Sequence, residues 1–206
     1  MASAASLTHS RFVGGRLAFG WLHYDVSSGI SVDEFTTANR PSQIHSSQAI
    51  QWITVANPYK VGNESEADRE GLLEAWMELQ SSGEVINSAK VSALAAQYSY
   101  TVGKWMLFPS PAKVDDLWCK VAKATHEGNL GISAKVSPDN GDGKHHLICV
   151  YTQDYLDQSD VNAVLERLRG LGVNGTINYK PDVYTTLGIY AKNPWNIKAS
   201  VYTSKQ

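Results

Sequence analysis

From Lys104 onward the sequence predicts an α+β fold, an antiparallel sheet with helices along one side. Three observations carry that expectation. The hydrophobic patterns run strand, helix, hairpin, helix, strands, and a hairpin set inside an α/β alternation makes neighbouring strands antiparallel. Val114, Leu117, Trp118, Val121 and Ala122 recur at the spacing of one helical face, a stripe that must be buried. Ile132, Ala134 and Val136 alternate with Ser133, Lys135 and Ser137, the period of a strand with one face in a core.

Taken in order, residues 1–10 are expected to be disordered, and 11–206 to form one domain. Phe19, Trp21, Ile50, Trp52, Ile53 and Val55 suit strand positions, with Arg40-Pro41-Ser42 as a turn or loop start between them. Ser65 and Asp68 read as a capping box before Leu72, Leu73, Trp76 and Met77, which predicts a helix over 66–80. A shorter helix is expected over 88–96. Residues 104–108 form a strand closed by Pro109 and Pro111, and Gly128 stops the helix of the Trp118 stripe. The turn-rich text of 138–143 joins strands at 132–136 and 147–151 into a hairpin. Ser159 is the expected cap of a helix carrying Val161, Val164, Leu165 and Leu168, ended by Gly170 and Gly172. Further strands are expected at 176–180, 187–191 and 198–202.

Composition removes several function classes. Charged residues make up 18% of the 206 and the net charge is −2, which excludes a strongly basic nucleic-acid clamp. No apolar run approaches the 18 residues of a membrane span. Residues 1–10 lack a basic stretch followed by an apolar one, so a secretory signal is not expected either. Cys119 and Cys149 show no CxxC pattern and read as buried thiols in a reducing compartment, the cytoplasm or the nucleus. Gly141-Asp142-Gly143-Lys144 lacks the upstream glycine and the hydroxyl of a P-loop, and no GxGxxG, HExxH or GxSxG occurs. His145 and His146 are adjacent in an expected strand, so they point to opposite faces and cannot share a metal ion. The expectation is a non-catalytic protein with no cofactor and no metal.

Candidate binding residues lie in the second half. Residues 1–100 hold 6 Lys/Arg against 10 Asp/Glu, whereas 101–206 hold 12 against 10, so the excess of positive charge is C-terminal. Lys104, Lys135 and Lys180 fall on expected strands and Lys144 in the hairpin loop; together they could line a mildly positive concave sheet surface. Trp105, Tyr151, Tyr179 and Tyr184 lie on the same elements, where any that share that face could stack on a base. A turn begun by Pro181 would present Asp182 and Tyr184 at a sheet end. The plain alternative is solvated lysines on a sheet and aromatics in the core.

Gly103-Lys104-Trp105-Met106-Leu107-Phe108, Val114-Asp115-Asp116-Leu117-Trp118, Ala134-Lys135-Val136-Ser137, Ile148-Cys149-Val150-Tyr151-Thr152 and Tyr179-Lys180-Pro181-Asp182-Val183-Tyr184 with Leu187-Gly188-Ile189-Tyr190 resemble the family named for a basophilic leukaemia-expressed protein. The resemblance covers about 103–203, and Arg40-Pro41-Ser42 and Trp52 extend it into the first half. It implies a fold shared with the mRNA cap-binding translation initiation factor 4E, a curved antiparallel sheet backed by about three helices on the convex face. That factor clamps methylguanine between two tryptophans and pairs its edge with a glutamate. Here residues 95–100 contain no Trp-Glu pair, and Ser137 falls near the position of its phosphate-binding arginine. Lys144 remains in the loop and Tyr151 stands where a third tryptophan would be. The resemblance therefore implies the fold more than the cap site.

The resulting expectation is a non-catalytic RNA- or nucleotide-binding protein, with its ligand on the concave face near Lys135, Lys144, Lys180, Asp182, Tyr184 and Tyr151. A second reading is a protein-interaction module that docks a partner on the helices around Trp76 and Trp118. A third, an enzyme using Asp182 or His145 as acid or base, requires those side chains to converge on one pocket.

Overall fold

A computed structural model describes residues 12–60 and 66–206. The expected disorder of residues 1–10 and the capping role of Ser65 lie outside the described residues. Among the described residues there are eight strands: β1 (Gly15–Ala18), β2 (Trp21–Tyr24), β3 (Trp52–Ala56), β4 (Gly103–Leu107), β5 (Ser133–Val136), β6 (Ile148–Thr152), β7 (Ile177–Pro181) and β8 (Tyr202–Ser204). The helices are α1 (Val32–Ala38), α2 (Arg69–Ser81), α3 (Ser88–Gln97), α4 (Pro111–His126), α5 (Gln158–Gly170) and α6 (Asp182–Thr186); α1 and α6 are additions to those expected.

The strands form one sheet in the order β1-β2-β3-β5-β6-β4-β7-β8, confirming the α+β class. Every pairing is antiparallel except β2 with β3. Those two strands are joined by a long connection through α1, which returns the chain to the same end of the sheet, as parallel pairing requires. The expected hairpin is the β5–β6 pair, with Lys135 opposite Cys149 and Ser133 opposite Tyr151.

The two faces of the sheet differ in chemistry. One carries Leu22, Ile53, Val55, Trp105, Leu107, Ala134, Val136, Ile148, Val150, Ile177 and Tyr179, all buried. Against it α4 lays Val114, Trp118, Val121 and Ala122, and α5 lays Val161, Val164 and Leu168. Full burial of such a side chain is worth roughly 1.5–3 kcal/mol, so this stripe-on-sheet contact is the main source of stability. The Trp105 indole crosses the layer and donates from Nε1 to the Val161 carbonyl of α5 at 3.0 Å.

Local capping explains where several elements depart from expectation. The α2 helix begins at Arg69 because the Asp68 carboxylate accepts from the Gly71 amide, making Asp68 the cap. Asp157, rather than Ser159, caps α5, accepting from the amides of Ser159 and Asp160. Residues 187–191 form no strand: Pro181 closes β7 and caps α6, and the chain then turns at Gly188, whose φ of +72° suits glycine. The last strand starts at Tyr202, later than the expected 198–202. His145 and His146 precede β6; the buried His146 has its ring Nδ1 3.0 Å from the Ser137 carbonyl oxygen.

Candidate functional site

Register places a different set of side chains on the other face of the sheet. Thr54 of β3, Lys135 of β5 and Cys149 of β6 form one row across it, continued by His23 and Arg16 on β2 and β1. Tyr151 of β6, Lys104 of β4 and Lys180 of β7 form a second. Trp21 and Trp52 stand side by side on β2 and β3 as direct register partners. Among the described residues, the charged side chains at strand positions on this face are Arg16, Lys104, Lys135 and Lys180, all basic, on a chain whose net charge is −2.

Lys135 is the centre of the arrangement. Its ammonium lies 4.0 Å from the Trp52 ring centroid, 4.5 Å from Trp21 and 5.5 Å from Tyr151. The two indoles are 6.4 Å apart and tilted by 54°, so the lysine sits against both. Contacts of this kind are worth about 0.5–2 kcal/mol, more as water is excluded. Burial, assisted by the nearby Lys104 charge, pushes the Lys135 pKa below the ordinary lysine value. The Cys149 thiol opposite it is pushed up to about 11 by burial.

Lys104 is 9% exposed and forms an ion pair with Asp182 at the start of α6. Its neighbour Lys180 is 6% exposed, with its ammonium 3.7 Å from the centroid of Tyr190. Burial lowers the pKa of Lys180 first, with Lys104 adding to the effect. Burial also lowers that of His23, assisted by Arg16. A ligand on this face meets a cationic strip with aromatic rings on one side and a single acid, Asp182, answering Lys104. Such a surface can stack a planar ring and hold an anion.

Four of the expected site residues meet here: Lys135, Lys180, Tyr151 and Asp182. Lys144 does not join them. It lies in the β5–β6 loop, at the opposite end of the hairpin from Tyr151, with its side chain 79% exposed and 3.2 Å from Asp142. Tyr184 does not join them either, being 1% exposed in the core. Pro181 starts a helix there instead of an open turn, and two residues along a helix rotate the side chain by roughly 200°. Asp182 thus reaches Lys104 while Tyr184 turns inward, bordering a groove of about 540 Å³ with Tyr155, Trp195 and Tyr202. Trp105 and Tyr179 belong to the core face, their rings 5.2 Å apart.

Trp21 and Trp52, whose facing the sequence left open, are the main addition. The signal was present in the alternation: Leu22 and Ile53 are fully buried, so their neighbours must face the other way. The acid-base convergence of the enzyme reading does not occur. Asp182 borders a hollow of about 270 Å³ with Arg69, Ser99 and Tyr100, whereas His145 borders a separate groove of about 640 Å³ with Phe108 and Lys113. Trp76 and Trp118, on the helices where the second reading docks a partner, are core residues. No three His, Cys, Asp or Glu side chains group as metal ligands among the described residues, and no helix there is long and apolar enough to cross a membrane.

Fold and face together define an α+β protein built around one large sheet, one side filled by core and the other carrying clustered lysines and aromatic rings. Residues 76–188, more than half of the chain, match the family described as basophilic leukemia-expressed protein Bles03, and the chain belongs to that family. The matched span includes Lys104, Lys135, Tyr151, Lys180 and Asp182 but not Trp21 or Trp52. Among solved structures, the chain is similar to a schistosome eIF4E complexed with m7GpppA and 4E-BP, at 17% identity and a TM-score of 0.38, covering 50% of this chain and 59% of that one. It is also similar to Ascaris suum eIF4E-3 with the m2,2,7G cap, at 18% identity and 0.33, covering 39% and 51%. For C. elegans eIF4E-3 with the 4E-binding protein Mextli and cap analog, the values are 14% and 0.35, covering 42% and 53%. The chain thus spans a little over half the length of each of these structures.

Proposed function

We propose that this protein binds single-stranded RNA or a nucleotide, without acting on it chemically, on the sheet face that carries Lys135. The observation behind this reading is the cluster of Lys135 with Trp21, Trp52 and Tyr151 beside Lys104 and Lys180. A base would stack on the accessible part of Trp21 or Trp52, an interaction worth about 1–3 kcal/mol per base. Phosphate would meet the ammonium groups of Lys135 and Lys180, which position a backbone without reading its sequence. Few phosphates can be reached from so compact a cluster, so affinity is modest and its salt dependence shallow.

Titration of the tryptophan fluorescence with short single-stranded RNA and with mononucleotides at low salt tests this. Saturable quenching is expected, and the double variant Lys135→Ala/Lys180→Ala weakens it. Absence of saturable binding, or binding unchanged in that variant, rejects the reading. Docking of a protein partner on the helices has less to stand on, because the large apolar side chain exposed on α2 is Met77.

A further inference from the structure

The stacking surface of this face is already in contact with a cation. Lys135 projects from β5 with its ammonium 4.0 Å from the Trp52 centroid and 4.5 Å from Trp21, both inside the roughly 6 Å reach of a cation–π contact. Tyr151 closes a third side at 5.5 Å. Three rings around one point form the kind of cage that accepts a positively charged ligand, because the faces of aromatic rings are negative. In this chain the cage is filled from within.

A planar base reaching Trp21 or Trp52 must lie beside that ammonium or push it aside. In either case its ring stays within a few ångströms of a positive charge held on a half-buried strand. Lys104 and Lys180 stand in the next row, and the acid on that side, Asp182, is committed to Lys104. We infer that Lys135 is the specificity-determining residue of this site, admitting neutral nucleobases with their phosphates and excluding bases that carry a fixed positive charge, such as N7-methylated purines. The inference rests on the proposal that the face binds nucleotides. Two like charges about 5 Å apart in a partly desolvated site, at an effective dielectric near 20, repel by enough to exceed a tenfold difference in affinity. The same ammonium attracts phosphate, so charge discrimination falls on the base and not on the nucleotide as a whole.

The converse gives the test. Removing the charge while keeping an unbranched side chain against Trp52 leaves the rings of Trp21, Trp52 and Tyr151 without the Lys135 charge, Lys104 remaining 5.5 Å from the Tyr151 centroid. Lys135→Met does this, and Lys135→Arg keeps the charge. Wild-type protein, Lys135→Met and Lys135→Arg are titrated with GTP and with 7-methyl-GTP, read by tryptophan fluorescence. Wild type and Lys135→Arg are expected to bind GTP at least about tenfold more tightly than its methylated form, and Lys135→Met to lose or reverse that preference. Wild-type protein that binds both equally, or prefers the methylated form, overturns the inference and leaves nucleotide binding standing. A preference retained in Lys135→Met overturns it as well. If the wild type binds neither nucleotide, the proposed function fails and this inference with it.

Discussion

Trp21 and Trp52 are direct partners in the one parallel pairing of the sheet, with ring centroids 6.4 Å apart and the Lys135 ammonium against both. A short turn joins the antiparallel β1 and β2, but the β2–β3 pair exists only because the connection through α1 brings β3 back alongside β2. Stacking capacity and the cation that guards it thus come from separate stretches of chain.

If a base stacks here, Trp52→Leu should weaken RNA binding by about tenfold, the loss of one stacked base at roughly 1–3 kcal/mol. Trp52 is half-buried and lies off the core face, so the midpoint of urea denaturation should move little. Affinity from fluorescence anisotropy and the denaturation midpoint, measured on the same variant, separate binding from folding. Equal affinity in Trp52→Leu and wild type would remove Trp52 from the site.

The ion pair of Lys104 with Asp182 makes a different prediction. Asp182→Asn leaves a nearly buried ammonium facing Lys180 without its counter-charge, which should cost about 2 kcal/mol of stability, less than a fully buried pair because Asp182 is partly exposed. Adding Lys104→Met to Asp182→Asn should return much of that loss, a coupling that a double-mutant cycle in denaturant measures directly. Two independent, additive losses would show that the pair is not energetically coupled.

How much of this was legible beforehand depended on whether the deciding signal was local. The α4 stripe and the β5–β6 hairpin could be read because periodicity and turn chemistry are written in adjacent residues. Lys135, Lys180 and Tyr151 could be placed on one surface for the same reason. Tyr184 could not, because proline serves equally as the first residue of a turn and as the boundary of a helix, and only the helix turns Tyr184 into the core. Lys144 was misplaced because the composition of 138–143 specifies a loop but not where it extends. Trp21 and Trp52 were visible as strand residues, yet their pairing depends on a long-range crossover that leaves no local mark.

Binding should depend on pH through Lys135. Its pKa is lowered by burial and by Lys104, while Cys149 and Asp182 oppose the shift; the Cys149 thiol itself is pushed up to about 11 by burial. Anion binding needs the protonated lysine, so affinity is full below its folded-state pKa and falls as pH rises through it, earlier than for an ordinary lysine. Lys135→Arg keeps its charge throughout and should flatten the decline. Isothermal titration from pH 7 to pH 10 checks this; identical profiles for the two proteins would show that Lys135 does not titrate against the ligand. The linkage also has a stability side. The unfolded chain binds more protons at Lys135 between the lowered pKa and the ordinary one, so this group adds stability as pH rises across that window. Cys149 works in the opposite sense, since the folded state holds a proton that the unfolded thiol releases above its ordinary pKa, and stability falls from there towards about pH 11.

Trp105 and Trp118 offer the sharpest test of what holds the two layers together. Both indoles are buried, but only Trp105 has a partner for its N–H, the Val161 carbonyl of α5, whereas the Trp118 Nε1 has none. Phenylalanine removes the N–H at each position and leaves a smaller ring. At Trp118 the loss of packing is partly offset because an unsatisfied buried donor disappears with it. At Trp105 the same change removes a hydrogen bond that is made across the layer, while the Val161 carbonyl keeps its place in the α5 ladder. Trp105→Phe should therefore destabilise the protein by about 1–2 kcal/mol more than Trp118→Phe. Truncation to alanine should narrow the contrast, because at either site the cavity cost of roughly 3–5 kcal/mol then dominates. Equal losses for the two phenylalanine variants in urea denaturation would mean that the Trp105–Val161 hydrogen bond contributes nothing net, leaving apolar packing alone to join α5 to the sheet.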